Sequence, residues 1–131
     1  MLESAEIAAI VPVSEIDRAV EFYGNVLGLK LVIRRDDMPE NREAEFSAGG
    51  GTLVAYESVA AGQSRVTIAG FRVDDLQDVV STLRERGVVF EEYDTPDMKT
   101  ENGIGRIGDL LAAWCKDPDG NIIAFEERTT G

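Results

Sequence analysis

One order of elements occurs twice in this sequence, and the repeat narrows the folds open to the chain more than its composition does. In the first half an extended run, Ile7 to Val13, meets a helix start at Ser14, a good N-cap, with Asp17 placed to favour the helix N-terminus. Ile16, Ala19, Val20, Tyr23, Val26 and Leu27 then recur at helical spacing until Gly28. Strands are expected over Leu29–Arg34, Glu43–Ala48 and Thr52–Ser58, with Asp36–Asn41 a polar turn and Gly49-Gly50-Gly51 a tight connection. In the second half Arg65–Val73 is extended, and Asp74 starts a helix with Gln77 completing a capping box. Leu76, Val79, Val80 and Leu83 form its apolar stripe, and Gly87 ends it. Further strands are expected over Val88–Tyr93, Leu111–Cys115 and Asn121–Glu127, with a long loop before Leu111.

The halves align residue by residue. Val13-Ser14-Glu15-Ile16 corresponds to Val73-Asp74-Asp75-Leu76 at an offset of 60, and Leu53-Val54-Ala55-Tyr56-Glu57 to Ile122-Ile123-Ala124-Phe125-Glu126 at an offset of 69. Each half then reads strand, helix, three strands, which points to an internal duplication. The expected fold class is α+β, with two short helices covering one face of a strongly curved sheet. The expected organisation is one domain over 1–131, with a first module at about 5–58 and a second at about 65–127.

Composition removes whole classes of chemistry. The 131 residues contain no histidine and one cysteine, Cys115. A Ser-His-Asp triad, a Cys-His dyad and a His-ligated zinc site are therefore excluded, as are an internal disulfide and a cluster of thiolate ligands. Against 25 acidic side chains stand 13 basic ones, a formal charge of −12. Nucleic acid and anionic membrane need a basic surface, so neither is an expected partner; an acidic surface instead attracts cations. No apolar run reaches the roughly 18 residues of a membrane span. The start, Met1 to Glu6, is acidic where a signal peptide is basic, so a cytoplasmic location is expected.

Three motifs invite a functional reading and receive a plainer one. Gly103-Ile104-Gly105-Arg106-Ile107-Gly108 spells G-x-G-x-x-G, but it neither follows a strand directly nor opens a helix, so its glycines are read as bends in a long loop. Asp117-Pro118-Asp119-Gly120-Asn121 lacks the glycine spacing of an EF-hand and has the composition of a tight turn. Cys115, beside Trp114 in an apolar strand, is read as a buried structural thiol. Trp114 and Tyr93 are either core residues or a stacking surface for a flat ligand.

The segment Val13 to Tyr23 with Leu27-Gly28-Leu29, then Phe71-Arg72-Val73-Asp74-Asp75-Leu76, then Lys116-Asp117-Pro118-Asp119-Gly120-Asn121, on a repeated βαβββ framework, resembles the vicinal oxygen chelate superfamily. These are the glyoxalase, bleomycin resistance and extradiol dioxygenase proteins, and the likeness covers nearly the whole chain. It implies two tandem βαβββ modules forming an eight-stranded open barrel. It also implies a divalent metal held by histidine and glutamate from the first and last strands of the modules. Carried over singly, those ligand positions fall on Ala8, Ala55, Ile68 and Ala124, none of which can coordinate a metal. A slip of two residues reaches Glu57 and Glu126, a carboxylate pair suited only to a hard ion such as magnesium or manganese.

The expectation is accordingly no metal, no cofactor and no catalytic residue, and a binding role in preference to catalysis. Ala8, Ile10, Ala55, Ile68, Gly70 and Ala124 are expected to leave an apolar hollow, with Trp114 lining it. Glu57, Arg72 and Glu126 stand at its rim or pair with each other at the surface; Ala9, Val11, Val13, Val54, Phe71, Val73, Ile123 and Phe125 pack under the helices. The expected ligand is a small organic molecule, antibiotic-like or cationic, sequestered as in the bleomycin-resistance branch, and the resemblance implies a homodimer. A glyoxalase- or dioxygenase-type enzyme with an atypical carboxylate site is the alternative. A partner-binding domain with a filled interior is a third.

Overall fold

The computed structural model describes residues 1–37 and 42–129. They form two compact units: Met1–Ser64 with Pro118–Asn121, and Arg65–Asp117 with Ile122–Gly131. Most of the expected turn at Asp36–Asn41 lies outside the described residues.

In the first unit, strand β1 (Ala8–Val13) leads into helix α1 (Ile16–Ala19), which continues as a π-helical stretch over Val20–Val26. Strands β2 (Lys30–Arg35), β3 (Glu43–Ala48) and β4 (Gly51–Glu57) follow, in the sheet order β1-β4-β3-β2. The β1–β4 pair is parallel and the others are antiparallel. Alternation sets the buried side. Val11 and Val13 lie level with Ala55 and Glu57, and Ala44 and Phe46 with Ala55 and Leu53, so these residues share one face. That face packs beneath Ile16, Ala19 and Tyr23, all buried, with the Tyr23 and Phe46 rings 6.0 Å apart.

Pro118–Asn121 folds with this first unit although it stands between two strands of the second in sequence. Asn121, fully buried, donates from Nδ2 to the Pro12 carbonyl at 2.7 Å and accepts from the Gly62 amide at 3.3 Å. Gly62 has a φ of +75°, and any Cβ there would run into the Asp119 carbonyl, so only glycine fits.

In the second unit, β5 (Thr67–Arg72) precedes α2 (Leu76–Glu85), and β6 (Thr100–Glu101), β7 (Ile104–Ile107), β8 (Leu110–Lys116) and β9 (Ile122–Arg128) complete a sheet in the order β5-β9-β8-β7-β6. Its core joins Leu76, Val80 and Leu83 of α2 to Cys115, Ile123 and Phe125. Phe71 stacks on Phe125 at 5.6 Å, and Phe90 meets Phe125 edge-on.

The α+β class and the order of strands and helices follow the expectation, with three corrections. Val88–Tyr93 is not a ladder strand: it contributes one bridge, Phe90 to Cys115, and the Glu91 amide donates to the Trp114 carbonyl at 2.8 Å. Beyond that point its bonds go to Thr100, whose hydroxyl accepts from the Tyr93 amide at 2.8 Å. The G-x-G-x-x-G stretch is not a long loop but strand β7 and its two turns, with Asn102-Gly103 at one end and Gly108 at the other in left-handed conformations. The described residues therefore carry nine strands rather than eight.

The helix starts differ too. Glu15, not Ser14, is the N-cap of α1, and Asp75, not Asp74, that of α2, where its side chain accepts from the Asp78 amide at 3.1 Å. Ser14 instead turns its hydroxyl to Asp119 at 2.5 Å, where Arg18 also binds. The first helical amides are taken by the last strands: Ile16 donates to Glu57 Oε2 at 2.9 Å, and Leu76 to Glu127 Oε1 at 2.7 Å.

Candidate functional site

The face of each sheet opposite its helix is where a ligand could be met, and register decides which residues stand there. In the second unit Trp114 lies level with Ala124, and Ala124 with Gly70, giving a row that runs from an indole to a methyl group to no side chain. Two residues along, Ala112, Glu126 and Arg72 form the next row. The structure thus brings Gly70, Arg72, Trp114, Ala124 and Glu126 together on one open face. Arg72 Nε and Glu126 Oε1 are 3.1 Å apart, with the arginine largely exposed. These two pair with each other, and a pair so exposed adds at most about 1 kcal/mol.

Three other candidates stand elsewhere. Ala55 is fully buried and shares the helix-facing side with Val11, its ladder partner. Glu57, level with Val13, also lies on that side, and its carboxylate is engaged at the start of α1. Val54, expected under the helix, occupies the open face beside Ile10. Ile68 sits in a bulge, since the β5–β9 register shifts between Thr67 and Ala69. Ala8 and Ile10 are on the open face of the first sheet as expected, both exposed.

The open face of the first sheet also holds groups that the sequence reading passed over. Glu43 and Glu45 stand there with Tyr56 and Val54, and Arg35 reaches both carboxylates, at 2.5 and 3.7 Å. The alternation Glu43-Ala44-Glu45-Phe46 carries the signal, polar and apolar residues on opposite faces at period 2.

A hollow of about 310 Å³ opens on the second sheet, walled by Trp114, Tyr93, Met98, Ile122, Thr67 and Arg65. Tyr93 and Trp114 meet edge to face, centroids 5.4 Å apart and planes at 84°. The loop carrying Met98 is tied by Glu92, whose carboxylate accepts from the Thr100 hydroxyl at 2.7 Å and the Gly103 amide at 2.8 Å. Those hydrogen bonds, with a smaller contribution from Arg84, hold the Glu92 pKa below its ordinary value. Burial, and then the charge of Glu91, raises the Tyr93 pKa, so its phenol keeps its proton. Cys115 is buried, and desolvation followed by Asp117 and Glu91 pushes its thiol up to about 12, a structural thiol and not a nucleophile.

The metal implied by the resemblance can be tested against the donors present. Ala8, Ile68 and Ala124 offer none, and the residue of β4 that takes Ala124's place in the first sheet is Val54, which offers none either. Among the described residues no three His, Cys, Asp or Glu side chains gather as a metal site. The residues do not fit the ion, and no chemistry is derived through it.

Comparison with known proteins places these observations in a family. The model of the Glyoxalase/Bleomycin resistance protein/Dioxygenase superfamily matches residues 6–125. A lactoylglutathione lyase of Neisseria meningitidis is 28% identical over 130 residues, covering 91% of this chain and 87% of that protein. Among solved structures, the antibiotic-binding protein TnmS3 of Streptomyces sp. CB03234 superposes with a TM-score of 0.69 at 24% identity, over 98% of each chain. A glyoxalase family protein of Enterococcus faecalis gives 0.71 at 18% identity, covering 97% of this chain and all of the other. With a repeated β-α-β framework, its helix-backed sheets and a family match over nearly its whole length, the chain belongs to the glyoxalase/bleomycin resistance protein/dioxygenase superfamily.

Proposed function

We propose that this protein binds a small organic molecule without a metal ion and holds it rather than transforming it, as in the bleomycin-resistance branch of its superfamily. The observation that carries this reading is the loss of donors at every position where the family resemblance puts a metal ligand, Ala8, Ala55, Ile68 and Ala124, and at Val54, which takes Ala124's place in the first sheet. The hollow beside Trp114 supports it, because ligand sites are mostly apolar with a few placed polar groups. So does the likeness in fold to an antibiotic-binding protein. A lyase is the second reading, favoured by the 28% identity to lactoylglutathione lyase.

Metal analysis of the purified full chain, followed by thermal-shift screening of antibiotics with and without a chelator, separates the two. The binding reading expects no bound divalent ion and shifts that persist in chelator. A ligand at 100 times its dissociation constant adds about 2.7 kcal/mol. One divalent ion per chain, with ligand shifts that vanish when it is removed, overturns the reading. The same preparation is expected to run as a homodimer in light scattering.

A further inference from the structure

The net charge of −12 favours a cationic ligand at long range, but the hollow itself is lined differently. Arg65 is the one charged side chain among its lining residues. It is exposed, and it has no ion-pair partner within 4.0 Å among the described residues. Nearby, Lys116 Nζ is already matched by Glu91 at 3.3 Å, so that pair adds little net field. The remaining wall is aromatic or apolar (Trp114, Tyr93, Met98, Ile122), with the Thr67 and Thr95 hydroxyls as hydrogen-bonding groups.

From this lining we infer that the hollow takes a planar aromatic anion, a ring carboxylate or its like, with the ring against Trp114 and Tyr93 and the acid group on Arg65. The inference deepens the proposed binding function and rests on it. The edge-to-face pair offers two surfaces at right angles, so a flat ring gains contact with both. Beyond Trp114 the row continues as Ala124 and Gly70, leaving no bulk beside the indole to block a ring. A guanidinium without a carboxylate partner is the group that recognises a carboxylate through two parallel N–H bonds. A hollow of about 310 Å³ stands at the small end of ligand sites and fits one or two rings. A cationic ring would meet Arg65 as a like charge, and local contact outweighs the distant acidic surface at physiological salt, where charges beyond about 8 Å are screened.

The test uses three ligands of one shape and different charge: 2-naphthoate, 2-naphthylmethanol and 2-naphthylmethylammonium, titrated by calorimetry into the full chain in chelator. Expected is at least tenfold tighter binding of the carboxylate than of the ammonium, with an advantage that shrinks as salt rises. Arg65→Met, an exposed position, removes that preference and leaves the alcohol unchanged, whereas Trp114→Ala weakens all three at least tenfold. Trp114 is the only tryptophan, so a change in its emission reports occupancy of this hollow. Equal or tighter binding of the ammonium, or a preference that survives Arg65→Met, overturns the inference while leaving metal-free binding intact. Binding of all three that needs an added divalent ion overturns the proposed function instead. No binding of any of the three, with the melting curve of the chain intact, overturns the aromatic-anion assignment.

Discussion

The two units solve one problem, how to begin a helix over a sheet, and they differ by a single residue in doing so. In the first, the last residue of β4, Glu57, turns to the helix side and accepts the Ile16 amide. In the second the equivalent role falls to Glu127, and Glu126 before it faces the open side with Arg72. Measured by helix capping, the last strands correspond at an offset of 70; measured by sequence likeness, at 69. Side chains alternate along a strand, so a slip of one residue carries every side chain to the other face. That slip explains why Ala55 and Glu57 were expected at the ligand face and why Val54 stands there instead. Likeness of letters in short apolar strands is weak evidence of register; a bonded carboxylate is strong evidence.

The largest effects should come where the two cores are alike. Phe46 and Phe125 occupy the buried side of their sheets, both under 5% exposed, and truncation of either to alanine should cost about 3–5 kcal/mol in urea unfolding. A cost below 1 kcal/mol for either would break the equivalence of the two cores.

The next effect separates the units. Glu57→Ala should cost about 1–2 kcal/mol, since α1 has no side-chain bond from its own N-cap residue. Glu127→Ala should cost about half as much, because Asp75 still caps α2. Equal costs would mean that the strand carboxylate, and not the local cap, carries both helix starts.

The smallest effect belongs to the second unit alone. Glu92 is held below its ordinary pKa by the Thr100 and Gly103 bonds, so its contribution is fully present above the unfolded value near 4.5 and is lost as pH falls through the lower folded value. Glu92→Gln should lower stability a little at neutral pH, leave it nearly unchanged below that window and so flatten the acid limb of the stability profile. An unaltered acid limb would show that the carboxylate does not hold the β6–β7 hairpin.

Much of the fold was legible because the signals were local. Ile16, Tyr23, Leu76, Val80 and Leu83 announce helical stripes by spacing, and the structure buries all five. Gly28 and Gly87 mark helix ends, and both take positive φ. Less was legible where a segment's bonds go to a distant partner. Val88–Tyr93 has the composition of a strand, yet Thr100 and Trp114 decide what its amides meet. The candidate site is only partly legible: spacing along one strand does not say which face of Leu111–Cys115 carries Trp114, which its ladder partner Ala124 decides, and Arg65 and Met98 carry no pattern that distinguishes a pocket wall from a loop.

By itself the sequence determined the α+β class, the repeated order of elements, the lack of any histidine and the absence of ligating side chains at Ala8, Ile68 and Ala124, since these depend on residue identity and on spacing along one strand or helix. Only the tertiary structure decided which neighbour each strand takes and in what register. That choice sent Glu57 to a helix start, left Glu126 to Arg72 and set Trp114 against Tyr93. Register depends on hydrogen bonds between residues far apart in the chain, and a shift of one residue changes every face without changing a letter.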